Sequence, residues 1–386
     1  MGMGIVAATR QYEAWLAEQV DFQAEEIDYK HAQMALKADP FPFFRGTYYR
    51  WTQVFPEQCP SCQSAPFVLG VGDLHLENFG TWRDREGRLV WGINDFDEAD
   101  DLPFANDLIR LATSAALASA GAGFQLGLKK TCRAILSGYM RQLKRGGQPF
   151  VLEEDHLEMR ELATQSDREP VAYWRKLTRV LKNPPADAPR DLAETLTKRI
   201  HESVSTCEIR TRPRVGMGSL GKPRYVALAN LLGAWVAREA KALTPPSSAA
   251  FHPERHARSR IMDVMATAAR CPDPFFSLED NWIIRRLAPR CSRIELRTLH
   301  DPKHDKILFE SMGAETANIH CGSADARKPI LRWIKSQESH WLEKSARVML
   351  SATRADWIAW RAEYRQAIRQ RRKASASGAD GTTAPE

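Results

Sequence analysis

The stretch from Phe67 to Glu98 constrains this chain most, because it twice ends an apolar run in a cluster of acids. Phe67, Val68, Leu69 and Val71 lead into a turn carrying Asp73, His75, Glu77 and Asn78. Arg88, Leu89, Val90 and Trp91 lead likewise into Asn94, Asp95, Asp97 and Glu98. Short apolar runs bounded by polar turns read as strands. Two strand ends that set several carboxylates side by side repel each other unless a hard cation or basic groups neutralise them. Magnesium takes mainly carboxylate, amide and phosphate oxygens, so it fits this donor set.

The order of the acids adds a second constraint. An Asp followed five positions later by an Asn, then an Asp-Phe pair at a later strand end, resembles the protein-kinase layout. The form GDLHLEN at 72–78 resembles the one in aminoglycoside and choline kinases, as does the later Asp107-Leu108 pair. The resemblance implies that Asp73 accepts the proton of a substrate hydroxyl, while Asn78 and Asp95 hold magnesium on nucleotide phosphates. Asp97 either joins the metal shell or faces solvent. The longer block GDLHLENFG, NDFDEA and DLIRLATSA also resembles the bacterial family called domain of unknown function 2252. His75 reads as a loop-bracing residue, and Asp107 either caps the helix it begins or braces the same loop. A pair of solvated polar turns would explain one such loop, but not two in this order.

A chain of 386 residues can bury a full core and build two lobes. At 43% hydrophobic and 27% charged residues its composition is that of a globular protein, not a disordered one. The formal net charge of +7 suits a phosphate-bearing ligand and is too diffuse to demand nucleic acid. No apolar run approaches the ~20 residues of a membrane span and no secretory signal opens the chain, so a cytoplasmic protein is expected. Seven cysteines at irregular spacing argue against a disulfide framework. The Cys59/Cys62 pair stands without a second ligand pair and reads as a turn able to take a metal only occasionally.

Along the chain, residues 8–37 have helical periodicity. FPFFRGTYYRW at 41–51 reads as a buried aromatic anchor, with Arg45 a secondary candidate for phosphate contact. Helical patterns follow at 107–119, 124–145, 153–165, 168–183 and 189–203. The texture then turns to strands. Gly216, Gly218 and Gly221 form a G-x-G-x-x-G pattern followed by Lys222-Pro223-Arg224 and a strand-like Tyr225 to Leu228, not by a helix. That order suits a glycine hairpin over phosphates better than a dinucleotide fold. The cation expected on the next strand is either Arg238 or Lys241, in place of the Lys-Glu-Ala triplet that the resemblance implies. Asp263 or Glu254, on a helix at 254–269, is the expected acidic partner. Segments 281–289 and 307–322 resemble the hinge strand and the helix before the catalytic loop. Amphipathic helices fill 329–371, and Ala374–Glu386 has the composition of a disordered tail.

The expectation is therefore α+β: a two-lobed, kinase-like fold, circularly permuted, because the catalytic loops precede the glycine hairpin. Residues 1–203 would form a mainly helical lobe, 204–300 a β-rich nucleotide lobe, 301–373 helices completing the first lobe, and 374–386 a tail. The expected function is an ATP- and magnesium-dependent phosphotransferase acting on a hydroxyl of a small molecule or protein. A pseudokinase, a nucleotidyl transferase and a metal-dependent hydrolase are the alternatives.

Overall fold

The computed structural model describes residues 3–122, 124–153, 156–163, 169–204, 206–252, 258–291 and 302–379. The N-terminal helices are α1 (Ile5–Gln19), α2 (Ala24–Leu36), α3 (Phe41–Gly46) and α4 (Tyr48–Gln58). Strands β1 (Phe67–Gly70), β2 (Phe79–Arg83), β3 (Leu89–Ile93) and β4 (Asp100–Pro103) carry the acidic loops between them. Then come α5 (Phe104–Ala122), α6 (Leu128–Arg145), β5 (Phe150–Val151), α7 (Leu157–Ala163), α8 (Pro170–Leu177) and α9 (Arg190–Ile200). The second half holds β6 (Glu208–Thr211), β7 (Arg224–Leu231), β8 (Ala234–Ala242), α10 (Ile261–Thr267), β9 (Ser277–Glu279) and β10 (Trp282–Leu287). Helices α11 (Pro302–His320), α12 (Arg327–Ser336) and α13 (Trp341–Ala379) close the chain.

The expected α+β class holds. The largest sheet is antiparallel, in the order β6-β7-β8-β10-β9. Its β7–β8 hairpin turns on Leu232 and Gly233, both at positive φ, which matches the right-handed twist of paired strands. A three-stranded sheet β2-β3-β5 and the β1–β4 pair form the scaffold for the acidic loops. Around them, α5 is buried along its apolar face and α6 packs on α11. That crossing is close because it meets at glycines: a methyl group at Gly138 or Gly313 would overlap the partner helix's backbone. Helices α8 and α9 leave this core and cover the large sheet. Leu177 packs with Val226 and Leu228 on one face, and Leu192, Leu196 and Ile200 with Ala227, Ala240 and Ile284 on the other.

Several boundaries differ from those the periodicity suggests. Residues 8–37 are two helices, broken between Gln19 and Ala24. The helix expected at 254–269 is the single short α10, and Glu254 lies outside the described residues. The segment directly before the glycines is not a strand: β6 ends at Thr211 and a loop spans 212–223. Helix α13 continues to Ala379, past the point where composition alone would start a tail. Cys59 and Cys62 are buried in the core beside Ser345. Among the described residues no helix is long and apolar enough to cross a membrane.

Candidate functional site

The first acidic loop is held from behind by α5. The N–H groups of Val71 and Gly72 donate to the two carboxylate oxygens of Asp107, at 2.7 and 3.0 Å. His320 Nε2 lies 3.0 Å from the same carboxylate. Of the two roles expected for Asp107, it fills the bracing one. His75 also braces: its N–H donates to Asn78 Oδ1 at 2.8 Å, and its Nδ1 accepts from the Glu77 N–H at 3.1 Å. Leu74 and Leu76 are fully buried, so the loop is anchored by alternate side chains while Asp73 is left facing the cleft.

Asp73 has a partner that the motif did not announce. Arg110 of α5 is fully buried and binds Asp73 Oδ1 through Nε at 2.9 Å and through Nη2. The guanidinium also lies 4.0 Å from the Phe44 ring centre and 4.7 Å from that of Tyr48, a desolvated cation–π setting. Burial pushes the Asp73 carboxyl above its ordinary value, and the Arg110 guanidinium works against that. Both Arg110 bonds fall on Oδ1. The other oxygen, Oδ2, faces the glycine loop, where a Cβ placed on Gly218 would lie 3.5 Å away.

The second acidic loop meets the large sheet. Lys241 of β8 brings Nζ to 2.6 Å from Asp97 Oδ2 and 3.3 Å from Asp95 Oδ1. Partial burial alone would raise the Asp95 carboxyl; the Lys241 ammonium reverses this and holds it well below the ordinary range. Burial and the neighbouring Asp95 charge push Asp97 upward instead. Glu98 is pushed up to about 7 by burial, against the pull of Lys222. The Ser247 N–H donates to it at 2.6 Å.

Strand geometry puts one of the two candidate cations on the cleft and turns the other away. Residues three apart on a strand face opposite ways. Glu239 and Lys241 share the cleft face, so Arg238 points away: its guanidinium lies 4.6 Å from the Phe275 ring centre and donates to the Ile200 carbonyl at 3.4 Å. The acidic partner is not on α10 either, since Asp263 pairs with Arg258 and Arg260. Fully buried Glu239 gathers Arg212, Arg224 and Arg285. Those arginines sit at the end of β6, the start of β7 and on β10, so Glu239 ties both ends of the glycine loop to the sheet centre. Together they hold its carboxyl well below the ordinary range despite burial.

The glycines divide. Gly216, at φ 77°, and Gly218 line the cleft. Gly221 turns away from it: at φ 97°, a Cβ there would meet Ile27 Cδ1 at 2.5 Å, and its carbonyl accepts from the Gln23 N–H. One cleft of about 820 Å³ is lined by Asp73, Asn78, Asp95, Asp97, Gly216, Gly218 and Lys241. Arg45 lines it too, with Nη1 2.6 Å from Glu77 Oε2, while the aromatics flanking Arg45 form core as expected. Exposed Lys176, Arg179 and Arg214 lie at its mouth.

Among the described residues no three His, Cys, Asp or Glu side chains are placed to enclose a metal ion. The donors present are two carboxylates, Asp95 and Asp97, with the Asn78 amide on the same cleft. That set fits a magnesium that brings its own phosphate and water ligands, not an all-protein cage.

Residues 23–206 match the model of a family described as an uncharacterised protein conserved in bacteria, DUF2252. This supports the family resemblance read from the acidic block. The matched stretch includes Asp73, Asn78, Asp95, Asp97 and Arg110 and stops short of the glycine loop and Lys241. No curated protein and no solved structure matches the chain.

Proposed function

We propose that the cleft transfers a phosphoryl group from ATP to a hydroxyl-bearing acceptor, in a kinase-like and circularly permuted arrangement. One observation carries the reading: Lys241 and the glycine loop, from the second half of the chain, share a cleft with the acids at 73–97. The Lys241–Asp95 contact alone spans 146 positions. Magnesium, when bound, would neutralise phosphate charge and orient the transferred group. Asp95, Asp97 and Asn78 are the residues that would hold it.

Asp73 Oδ2 accepts the acceptor's proton, since Oδ1 is committed to Arg110. Arg110 fixes that carboxylate and favours its charged form against the upward pull of burial. The backbone N–H groups around Gly216 and Gly218 approach the phosphates where no side chain intervenes. Lys241, which pairs with both aspartates here, would neutralise the phosphate oxygens were those aspartates to hold the metal. Catalysis of this kind is positioning and charge neutralisation, and it needs no covalent nucleophile.

Calorimetry with ATP, with and without magnesium, tests this on the wild type and on Asp95→Ala. The expected result is magnesium-dependent binding that the variant loses. Absence of ATP binding by the wild type would overturn the proposal. Analysis of turnover separates the neighbouring chemistries: ADP is expected, whereas pyrophosphate would mean nucleotidyl transfer.

A further inference from the structure

Two buried lysines, Lys222 lining the cleft and Lys30 behind its wall, have no role in the scheme above. Lys30 of α2 is 1% exposed, and Lys222, just after the glycine loop, is 6% exposed. Lys222 Nζ donates to Thr244 Oγ1 at 2.8 Å and has two further protons to place. Lys30 makes no hydrogen bond among the described residues; its Nζ lies 5.4 and 5.7 Å from the ring centres of Tyr12 and Tyr49. Neither ammonium has a carboxylate within 4.0 Å among the described residues, although both are more than nine-tenths buried. Burying a charge without a partner is costly, and chains do not keep two such groups in one place without compensation.

Both lie close to the cleft, on different sides of its wall. Lys222 lines it beside Tyr12, Tyr48 and Glu98. Lys30 comes up behind its wall: its Cε would lie 3.3 Å from a Cβ on Gly46, a lining residue. The nearby charges acting on Lys30 are Glu13, Lys222, Glu98 and Asp73. Asp73 is already paired with Arg110, and Glu13 shares a 2.6 Å hydrogen bond with His31. Glu98 acts on both lysines, yet neither forms an ion pair with it among the described residues.

We infer that this part of the cleft is the acceptor subsite, and that the acceptor carries an anionic group, carboxylate or phosphate, which Lys222 and Lys30 bind while its hydroxyl faces Asp73. The inference rests on the phosphotransferase reading for the hydroxyl's part in it, but the anion site can be tested without that reading. Tyr12, Tyr48 and Tyr49 line the same cleft, so apolar rings flank the polar groups there.

The test is calorimetric titration of inorganic phosphate, and separately of acetate, with no nucleotide or magnesium present. At least one anion is expected to bind, and the stronger of the two separates a phosphorylated alcohol from a hydroxy acid as acceptor. A charge-assisted hydrogen bond corresponds to roughly a tenfold loss when removed, so Lys222→Met and Lys30→Met should each weaken that binding by about tenfold or more. Both variants should keep or raise the melting temperature, because each removes an unpaired buried charge, and both should keep the wild-type affinity for magnesium-ATP. Failure of both anions to bind, or binding that both variants leave unchanged, overturns the inference. So does a tenfold loss of ATP affinity in the variants, which would assign the lysines to the triphosphate. Anion binding in a protein that does not bind ATP would leave the subsite standing and remove the phosphotransferase reading instead.

Discussion

Replacing Arg110 with methionine isolates the pair that favours the charged form of Asp73. Arg110 is fully buried, and both of its bonds to Asp73 fall on one carboxylate oxygen. Removing one partner of a buried ion pair leaves the other uncompensated, at a cost of about 3–5 kcal/mol. Part of that loss, roughly 1–2 kcal/mol, is cation–π contact with Phe44 and Tyr48 and does not depend on pH. The remainder does. Burial already raises the Asp73 carboxyl, and without Arg110 it rises further above its unfolded value near 4. A carboxyl whose folded pKa is raised loses stability as pH climbs from the unfolded toward the folded value and regains it on acidification. The penalty of Arg110→Met should thus be smallest near pH 4 and largest at neutral pH. Urea unfolding of both proteins at pH 4, 5.5 and 7, followed by tryptophan fluorescence, measures the difference. The double variant with Asp73→Asn should lose less than the two single losses added together. A penalty of equal size at every pH would refute the argument that Arg110 acts by favouring the charged form of Asp73.

Three further outcomes follow from the cleft. Lys241→Met should destabilise the metal-free protein by about 3 kcal/mol, by leaving Asp95 and Asp97 facing each other. Magnesium should then raise its melting temperature more than it raises that of the wild type, and equal shifts would count against a metal site there. Arg238→Met should bind magnesium-ATP within about twofold of wild type by calorimetry, while Lys241→Met loses at least about tenfold, a charge-assisted contact's worth; the reverse ranking would reinstate Arg238. Gly221→Ala should cost about 1–3 kcal/mol in urea unfolding, from its φ of 97° and the contact with Ile27, and leave nucleotide affinity of the folded protein unchanged.

The acids at 73–97 were legible because the chain places them near one another, and spacing alone orders them. Lys241 could have been separated from Arg238 on the sequence as well: the two cannot share a face of one strand, and Glu239 lies two positions from Lys241. Arg110 was not legible as a site residue. The segment DLIRLATSA reads as a buried apolar helix, and the only hint is one arginine where burial without a partner would be costly. Lys30 was hidden in the same way, on an amphipathic helix that gives no reason to single out one charged residue. Gly221 was misplaced for the opposite reason. The three-glycine pattern treats its members alike, whereas the packing of Ile27 against Gly221 depends on a contact between segments far apart in the chain. The aspartate and glycine segments lie well apart in the sequence, so only the folded cleft could show that they meet.

A crystal grown with manganese and a non-hydrolysable ATP analogue tests the central claim most directly, because manganese reports its own position by anomalous scattering. The account predicts a manganese peak at bonding distance, about 2 Å, from oxygens of Asp95 or Asp97. It also predicts that Lys241 has moved from those carboxylates onto the phosphates, beneath Gly216 and Gly218. Nucleotide bound elsewhere, or a manganese peak away from both aspartates with Lys241 still between them, would contradict it.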